Sequence, residues 1–351
     1  MMLLTFPCRR LIYYLEKTFS YRYLIVSITD ELFNRNIQAQ YQKNIFSTPV
    51  KPLLGMLNSG GFFFSDQMML DKLPVVKDDG LITPEVGPWA EYKYRLVWNY
   101  AKVFSSSMKL KWDALVYIDL FAGAGHSKIK GTSRIIPSSP LLALDLPNRF
   151  NKYIYCDIDG EKLEALKKRI NQKYSSLDIS YVEDDVNENI HNIFSHIPMH
   201  NRDFKVLSFC FVDPYKMKNL HFQTIRKLSK YFVDFLILIP SYMDAHRNPS
   251  YYLKDSSTRI EDFTGNKAWR DEWKTAEKKS WKFGSFIVNL YGKEMQKIGY
   301  NYSGLSDTVQ IRYLTNNIPL YHLAFFSRNQ DIAYKLWKET QTYSNDQLDL
   351  L

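Results

Sequence analysis

The sequence predicts an α/β domain whose β-sheet is mostly parallel and carries helices on both faces. Three observations favour this fold. Short apolar runs alternate with helix-type patterns, the first of these runs ends in a paired-glycine turn, and two apolar runs near the carboxyl terminus resemble a hairpin. Parallel strands need long crossovers, whereas a short turn joins antiparallel ones. The combination predicts a Rossmann-like sheet that ends in an antiparallel strand.

Composition limits the class of protein. The chain has 351 residues, of which 45% are apolar and 15% aromatic, enough for a substantial core. We predict a cytoplasmic protein without a membrane span, because no uncharged apolar run reaches about 18 residues. A net charge of +9 permits an anionic partner such as nucleic acid without demanding one. Cys8, Cys156 and Cys210 are predicted to be reduced structural thiols, so no metal site is expected.

Residues 1–67 differ in pattern from the rest of the chain. They form either short amphipathic helices or a poorly ordered extension, and the sequence leaves both interpretations open. The Asn-Ser-Gly-Gly cluster at residues 58–61 indicates a linker. We therefore predict one folded domain over residues 68–351, with a helical insertion at about residues 249–300.

An amphipathic helix is predicted over residues 88–104, before the first strand. Its apolar face has side chains at spacings of four, namely Tyr92, Leu96, Tyr100 and Phe104. These side chains are expected to pack in the core, while Trp89 and Lys93 could reach over the glycine turn.

The glycine turn comes directly after the strand of residues 116–119. Gly123 and Gly125 lack a Cβ and let the backbone turn sharply and approach a ligand. Asp119, at the junction of strand and turn, is expected to anchor the turn or to hold an ammonium group of the ligand. A turn at the carboxyl end of a parallel strand is a ligand-site candidate. We predict that Asp119, Phe121, Gly123 and Gly125 bind a cofactor.

The residues after the turn indicate which cofactor it binds. In a dinucleotide-binding turn a third glycine comes three positions after the second, and a helix begins at once. Here position 128 is Lys128, residues 126–137 are predicted to be a loop, and the helix begins with Ser139 as N-cap before Pro140. A pyrophosphate is thereby disfavoured. S-adenosylmethionine (SAM), which has ribose and adenine but no pyrophosphate, fits better.

Acidic residues end the next two predicted strands. Asp157 ends the strand of residues 153–157, where the acid of Rossmann-type domains accepts hydrogen bonds from ribose hydroxyls. Asp185 comes after the strand of residues 179–182 and could accept a hydrogen bond from the adenine amino group. Each acid alone could equally be a helix cap or a solvated turn residue. Their placement after successive strands favours a shared cofactor site.

The fourth strand, residues 206–212, ends in an Asp-Pro-Tyr turn. Methyltransferases that act on amino groups place Asn or Asp, two prolines and an aromatic residue here, so that the polar group holds the target nitrogen and the ring stacks on the base. This chain has one proline, which weakens the match to nucleobases. We predict that Asp213 orients or deprotonates the nucleophile and that Tyr215 stacks. A turn that merely ends the strand is the alternative.

Basic and aromatic residues alternate in the predicted insertion. Trp269, Trp273 and Trp281 lie among lysines and an arginine, as on surfaces that bind nucleic acid. The spacing of four between the first two tryptophans equally describes a helix packed on the core, so both interpretations stay open. His246 and Arg247, after the fifth strand, are candidates for contacting substrate.

The carboxyl-terminal part closes the predicted sheet. Residues 309–314 and 320–327 form a hairpin, and a last helix covers residues 330–342. A parallel sheet that ends in such a hairpin is the pattern of class I methyltransferases. The full prediction is a Rossmann-like class I methyltransferase fold with a mostly parallel seven-stranded sheet and a C-terminal antiparallel hairpin strand.

Five stretches carry a resemblance to a known family: YIDLFAGAG, YIYCDIDGEKLEALKKRI, FCFVDPYKMKNLHFQTIRKLS, LILIPSYMDAHRN and PLYHLAFFSRN. Together they resemble the three-Cys-motif partner protein family, over about residues 68–351. The resemblance implies a bacterial or archaeal protein with a methyltransferase-like fold, which occurs beside a partner that carries a three-cysteine motif of the radical-SAM type. It implies no substrate and no catalytic residue, so the predicted site residues rest on the general methyltransferase pattern.

The resulting hypothesis is a SAM-dependent methyltransferase that acts with a three-Cys-motif partner and favours a nitrogen of a nucleic acid as methyl acceptor. Cofactor binding is the part that the motifs support most directly. The alternative, from a different class, is a non-catalytic adaptor whose methyltransferase fold binds the three-Cys-motif protein, with any cofactor held structurally or absent.

Overall fold

The computed structural model describes one unit of the chain, within Met69–Leu351. The described residues are 72–174, 176–246, 249–313, 317–329 and 333–346. The predictions on residues 1–67, including Cys8, and on the side chains of His246 and Arg247 as substrate contacts lie outside the described part of the molecule. None of the described helices is long and apolar enough to cross a membrane.

The strands form a large central sheet and a small accessory sheet. Their bounds are Glu85–Val86 (β1), Ala114–Asp119 (β2), His126–Ile129 (β3), Ile135–Pro137 (β4), Lys152–Asp157 (β5), Ile179–Glu183 (β6), Val206–Val212 (β7), Val233–Ile239 (β8), Thr308–Tyr313 (β9) and Ile318–Phe326 (β10). The central sheet has the strand order β6-β5-β2-β7-β8-β10-β9. Neighbouring strands are parallel except that β10 runs antiparallel to β8 and β9. This topology confirms the predicted sheet.

Helices connect and cover the strands. Their bounds are Trp89–Met108 (α1), Ser139–Leu144 (α2), Gly160–Lys173 (α3), Ile190–Phe194 (α4), Phe222–Leu228 (α5), Pro249–Tyr252 (α6), Arg259–Thr264 (α7), Trp269–Lys278 (α8), Phe283–Lys297 (α9) and Ala333–Asp346 (α10). Strands β2, β7 and β8 are buried at every residue. Because side chains alternate between the faces of a strand, both faces of the sheet are covered. Cys156 on β5 and Cys210 on β7 are free and buried, as predicted.

Helix α1 is the long helix predicted before the first strand. Its predicted stripe is buried along its whole length, at Tyr92, Leu96, Tyr100 and Phe104. The rings of Tyr100 and Phe104 lie 5.1 and 5.5 Å from that of Phe209 on β7, measured between centroids. These contacts anchor α1 on the centre of the sheet. The helix also buries Lys93, whose ammonium therefore requires a partner inside the protein.

Residues 126–137, predicted to be a loop, instead form an antiparallel hairpin of β3 and β4, and β1 runs parallel to β3. Ser127 and Ile129 are buried while the residues between and beside them are half-buried or exposed. Gly131 turns the hairpin in a left-handed conformation, with φ of +78°. The loop prediction was wrong because strands of three or four residues are too short for a recognisable period.

The segment between β8 and β9 contains helices α6 to α9. Trp269 is fully buried and Trp273 is 7% exposed. The Trp273 ring packs against Phe283 and Phe286 of α9, with centroids 4.8 and 5.2 Å apart. Of the two interpretations left open by the sequence, core packing is therefore correct for these tryptophans. A nucleic-acid surface built on them is wrong.

Candidate functional site

The glycine turn leaves the carboxyl end of β2 at the centre of the sheet. Gly123 and Gly125 both have left-handed backbone conformations, with φ of +64° and +85°. A Cβ at Gly125 would approach Leu166 of α3 to 2.7 Å, whereas a Cβ at Gly123 would meet nothing within 4 Å. Gly125 is therefore needed for packing as well as for the turn. Gly123 borders open space.

Asp157, at the end of β5, is hydrogen-bonded to this turn. Its Oδ2 accepts a hydrogen bond from the Gly123 N–H at 2.8 Å, and its Oδ1 accepts one from the Asp159 N–H at 2.9 Å. An ionised carboxylate offers about four acceptor positions, so each oxygen can accept a further hydrogen bond. The predicted ribose acceptor thus lies beside the predicted cofactor turn.

Two further residues border the β5 side of the site. Ile158 comes directly after Asp157 and is 68% exposed, so it presents an apolar surface at the edge of the sheet. Sequence reasoning missed this residue, although an apolar residue directly after a strand-end acid was a usable signal. Asp185 comes after β6, and its Oδ1 accepts a hydrogen bond from the Asn187 N–H at 2.8 Å. The neighbouring Asp184 is engaged through both oxygens by asparagine side chains, which leaves Asp185 as the more available acid.

Asp119 is fully buried beneath the glycine turn. Its Oδ1 accepts a hydrogen bond from the Phe121 N–H at 3.3 Å, and its Oδ2 accepts one from the Tyr117 hydroxyl at 3.5 Å. Burial raises the pKa of Asp119 to about 7, although a hydrogen bond from Ser139 acts in the opposite direction. Asp119 therefore anchors the turn, which is the first of its two predicted roles. Contact with a ligand ammonium stays a prediction.

Helix α2 has a different cap from the one predicted. Ser138 is the N-cap, and Ser139 is the first helical residue, with Pro140 next. The Ser139 side chain bonds to Asp119 instead. The prediction was off by one position because either serine of the Ser-Ser-Pro sequence satisfies the cap preference.

The three strand-end acids lie close enough to interact. Negative charge on Asp213 and on Asp157 raises the pKa of Asp119 beyond the effect of burial. The strand register accounts for this proximity, because Asp119 is level with Tyr155 of β5 and with Phe211 of β7. Asp157 and Asp213 each lie two residues further along these parallel strands. This concentration of negative charge at one edge of the sheet favours a cationic ligand.

Lys93 of helix α1 forms an ion pair with Asp213 at this edge. Lys93 Nζ lies 2.5 Å from Asp213 Oδ2, and the two side chains are 10% and 17% exposed. Burial opposes the charge of Lys93, but the negative charge of Asp213 outweighs it and raises the pKa of the ammonium above its usual value. The ammonium lies 4.8 Å from the ring centroid of Tyr94 and 6.0 Å from that of Tyr321. Asp213 thus faces a fixed cation inside the protein.

Sequence reasoning placed Lys93 near the glycine turn but assigned it no partner. A signal existed in the helix pattern, since Lys93 lies between Tyr92 and Tyr94 on a part of α1 where all three side chains are buried. A lysine in such a position needs an acid. The pattern does not identify which acid, because Asp213 is 120 positions away.

Tyr215 lies apart from this buried group. Its residue surface is 81% exposed, although Asp213 two positions earlier is turned inward. The intervening Pro214 is buried. Lys216 Nζ lies 5.6 Å from the centroid of the Tyr215 ring. The structure therefore brings Asp213 together with the predicted cofactor residues and leaves Tyr215 at the outer rim.

Arg169 of α3 ties an earlier segment of the chain to the glycine turn. Its guanidinium donates to both carboxylate oxygens of Asp79, at 2.6 and 2.7 Å. It also donates to the carbonyl oxygens of Ala124, at 2.6 Å, and Ile82, at 3.0 Å. Arg169 is 4% exposed, and the apolar face predicted for α3 did not include it. The back of the turn is consequently held by a buried cation.

Solved structures resemble this chain in part. A Legionella pneumophila protein matches with a TM-score of 0.41 and 13% identity, over 71% of this chain and 91% of its own. An rRNA methylase from Streptococcus thermophilus matches with a TM-score of 0.33 and 9% identity, over 68% and 96%. A magnesium protoporphyrin IX methyltransferase from Synechocystis with bound SAM matches with a TM-score of 0.33 and 8% identity, over 68% and 84%. Neither a protein-family model nor a curated protein matches the chain.

The class of protein is defined by the fold itself. The strand order with one antiparallel strand, β10, between β8 and β9 is that of class I methyltransferases. Because the similarities to solved structures are low, this strand order carries the assignment. The chain has a Rossmann-like class I methyltransferase fold with three acids converging at the carboxyl edge of its parallel strands.

Gly123→Ala and Gly125→Ala form a matched pair of substitutions. Both strain a left-handed backbone, by about 1 kcal/mol. Only the methyl group at Gly125 also meets Leu166, and overpacking of this kind costs about 1–3 kcal/mol more. We expect Gly125→Ala to reduce the free energy of unfolding in urea more than Gly123→Ala does. Equal losses would contradict the packing role of Gly125.

Asp119→Asn tests the burial of the carboxyl group. Its folded-state pKa of about 7 exceeds the unfolded value of about 4, so the chain loses stability as the pH rises from about 4 to 7. We expect the substitution to remove this loss and to stabilise the protein at pH 8 by up to about 4 kcal/mol, with little change at pH 4. Thermal unfolding at both pH values measures this. The same pH dependence in both proteins would show that Asp119 does not titrate as assigned.

Proposed function

We propose that this protein is a SAM-dependent methyltransferase that transfers the methyl group to a nitrogen held by Asp213. The convergence of Asp119, Asp157 and Asp213 around a glycine turn that borders open space carries the proposal. Ligands of open α/β sheets bind at this carboxyl edge. The class I methyltransferase strand order supports the same reaction class.

The residues at the edge suit SAM chemically. Asp157 can accept hydrogen bonds from ribose hydroxyls, Ile158 offers an apolar surface to adenine, and Asp185 can accept from its amino group. Phe121 and Gly123 complete the cofactor residues in the turn. SAM carries an ammonium and a sulfonium, and three acids opposite one lysine leave negative charge to hold them. When bound, SAM supplies an electrophilic methyl group.

The ion pair of Lys93 and Asp213 defines the acceptor side of the site. A carboxylate paired with a buried ammonium at 2.5 Å is fixed in orientation and is a weak base. Its other oxygen, Oδ1, can accept a hydrogen bond from an N–H of the acceptor and so direct the nitrogen lone pair. We therefore assign Asp213 to orienting the nucleophile. The proton leaves the nitrogen after methyl transfer, when the nitrogen has become cationic and acidic.

A nitrogen of a nucleic acid is the acceptor that we favour. The Asp-Pro-Tyr turn, the exposed Tyr215 ring at the rim and the net charge of +9 support it. The three-Cys-motif partner is a further part of the proposal, carried by the resemblance of the sequence. A non-catalytic adaptor for that partner is the competing function, and it requires no methyl transfer.

Asp157→Ala tests the cofactor site. We expect the unmodified chain to bind SAM and its demethylated product in calorimetry at tens of micromolar protein, and the substitution to weaken binding tenfold or more, because charge-assisted hydrogen bonds are lost. Asp178→Ala is the matched control, since Asp178 pairs with Lys152 at the opposite edge of β5 and β6. No heat from the unmodified chain would favour the adaptor. Equal affinity in Asp157→Ala would identify another ribose acceptor.

Asp213→Ala and Lys93→Met test the acceptor side. Transfer of radiolabelled methyl groups from SAM to bulk tRNA, rRNA and DNA should fall about 100-fold or more in Asp213→Ala, while SAM binding persists. Lys93→Met leaves a buried carboxylate unpaired, so its pKa rises and activity should be lost at a higher pH on acidification than in the unmodified chain. Transfer that is unchanged in Asp213→Ala would remove the assignment. An unshifted pH profile in Lys93→Met would remove the role of the pair.

A further inference from the structure

Two exposed tyrosines with adjacent cations lie at the carboxyl edge of β7 and β8. Tyr215 is 81% exposed and Tyr251 is 42% exposed. Lys216 Nζ lies 5.6 Å from the Tyr215 ring centroid, and Lys254 Nζ lies 5.9 Å from that of Tyr251. The Arg259 guanidinium lies 4.9 Å from the Tyr251 ring as well. We call Tyr215, Lys216, Tyr251 and Lys254 the tyrosine rim.

A single carboxylate joins the two halves of the tyrosine rim. Asp244 lies in the π-helical turn after β8, and its Oδ2 accepts a hydrogen bond from the Met217 N–H at 2.9 Å. Its Oδ1 accepts one from the Tyr252 hydroxyl. Met217 is two positions from Tyr215, and the ring of Tyr252 lies 5.5 Å from that of Tyr251. Both exposed rings are therefore supported by the same fixed turn.

We propose that the tyrosine rim binds a single-stranded polynucleotide and presents one of its bases to Asp213. The inference rests on the proposed methyltransferase function and specifies where its acceptor docks. Aromatic faces stack on bases and nearby cations neutralise phosphates, which is how sequence-tolerant single-strand sites work. An acidic peptide would use the lysines but would leave the rings without a partner.

Access to Asp213 favours a single strand over a duplex. Asp213 is 17% exposed and lies two positions before Tyr215, so the acceptor atom must enter a recess behind the rim. A base inside a duplex cannot reach such a recess without leaving the stack, which costs a few kcal/mol. An unpaired strand needs no such step.

The test is binding of fluorescein-labelled 12-nucleotide RNA and DNA strands, measured by fluorescence anisotropy without SAM. We expect the single strands to bind more tightly than a duplex of the same sequence. Tyr215→Ala combined with Tyr251→Ala should weaken binding about tenfold or more, from lost stacking. Phe232→Ala is the aromatic control, because Phe232 is 49% exposed at the opposite edge of β8.

The charge of the rim is tested with a second matched pair. Lys216→Ala with Lys254→Ala should weaken binding and flatten its dependence on salt by about 0.7 per lost phosphate contact. Lys109→Ala with Lys230→Ala makes the same change of net charge at the opposite edge of the sheet and should have the smaller effect. The tyrosines are exposed, so thermal unfolding should stay near that of the unmodified chain.

Equal affinity in the rim and control variants, or equal affinity for duplex and single strand, would overturn this inference. Because the assay contains no SAM, its outcome is separate from that of the proposed function. Methyl transfer without binding at the rim would leave the methyltransferase and remove its docking surface. Binding at the rim without methyl transfer to any strand would leave the docking surface and remove the enzyme.

Discussion

The glycine turn after β2 is held by hydrogen bonds from several elements, and the geometry of the site depends on them. The Gly123 N–H donates to Asp157 of β5, and the Ala124 carbonyl accepts from Arg169 of α3. Left-handed glycines allow the turn, but these partners decide where it points. Arg169 in turn requires the Asp79 carboxylate, because a buried guanidinium without a counter-charge is costly. A segment that precedes the sheet thus supports the turn at its centre.

The electrostatics of the site arise from the same crowding of strand ends. Parallel strands bring Asp119, Asp157 and Asp213 to one edge, and burial makes the least accessible of them, Asp119, the hardest to ionise. Lys93 offsets part of this charge through Asp213. Buried ionisable groups are costly in a fold that needs them only for packing, and they cluster where proteins bind ligands or carry out chemistry. The edge therefore combines a negative cofactor region with an acceptor group of fixed orientation.

Two sets of aromatic and basic residues show why composition alone does not locate a nucleic-acid surface. Trp273 of α8 and Tyr251 of α6 both lie among cations in the sequence. Helix α8 turns Trp273 onto α9, where phenylalanine rings cover it. Tyr251 lies beside a turn fixed by Asp244 and keeps much of its surface exposed. Burial, which depends on the packing of other elements, separates the two cases.

The sequence by itself determined the strand order, the long helix α1, and the positions of Asp157 and Asp213 at strand ends. These features depend on local periodicity and on turn chemistry between near neighbours, which a single chain displays directly. Only the tertiary structure decided that Lys93 pairs with Asp213, that Arg169 holds the glycine turn, and that the short hairpin of β3 and β4 replaces a loop. The pairing partners are 120 positions apart for Lys93 and 45 for Arg169 and Ala124. Contacts at such separations depend on how the whole chain packs, so they leave no local pattern from which to predict them.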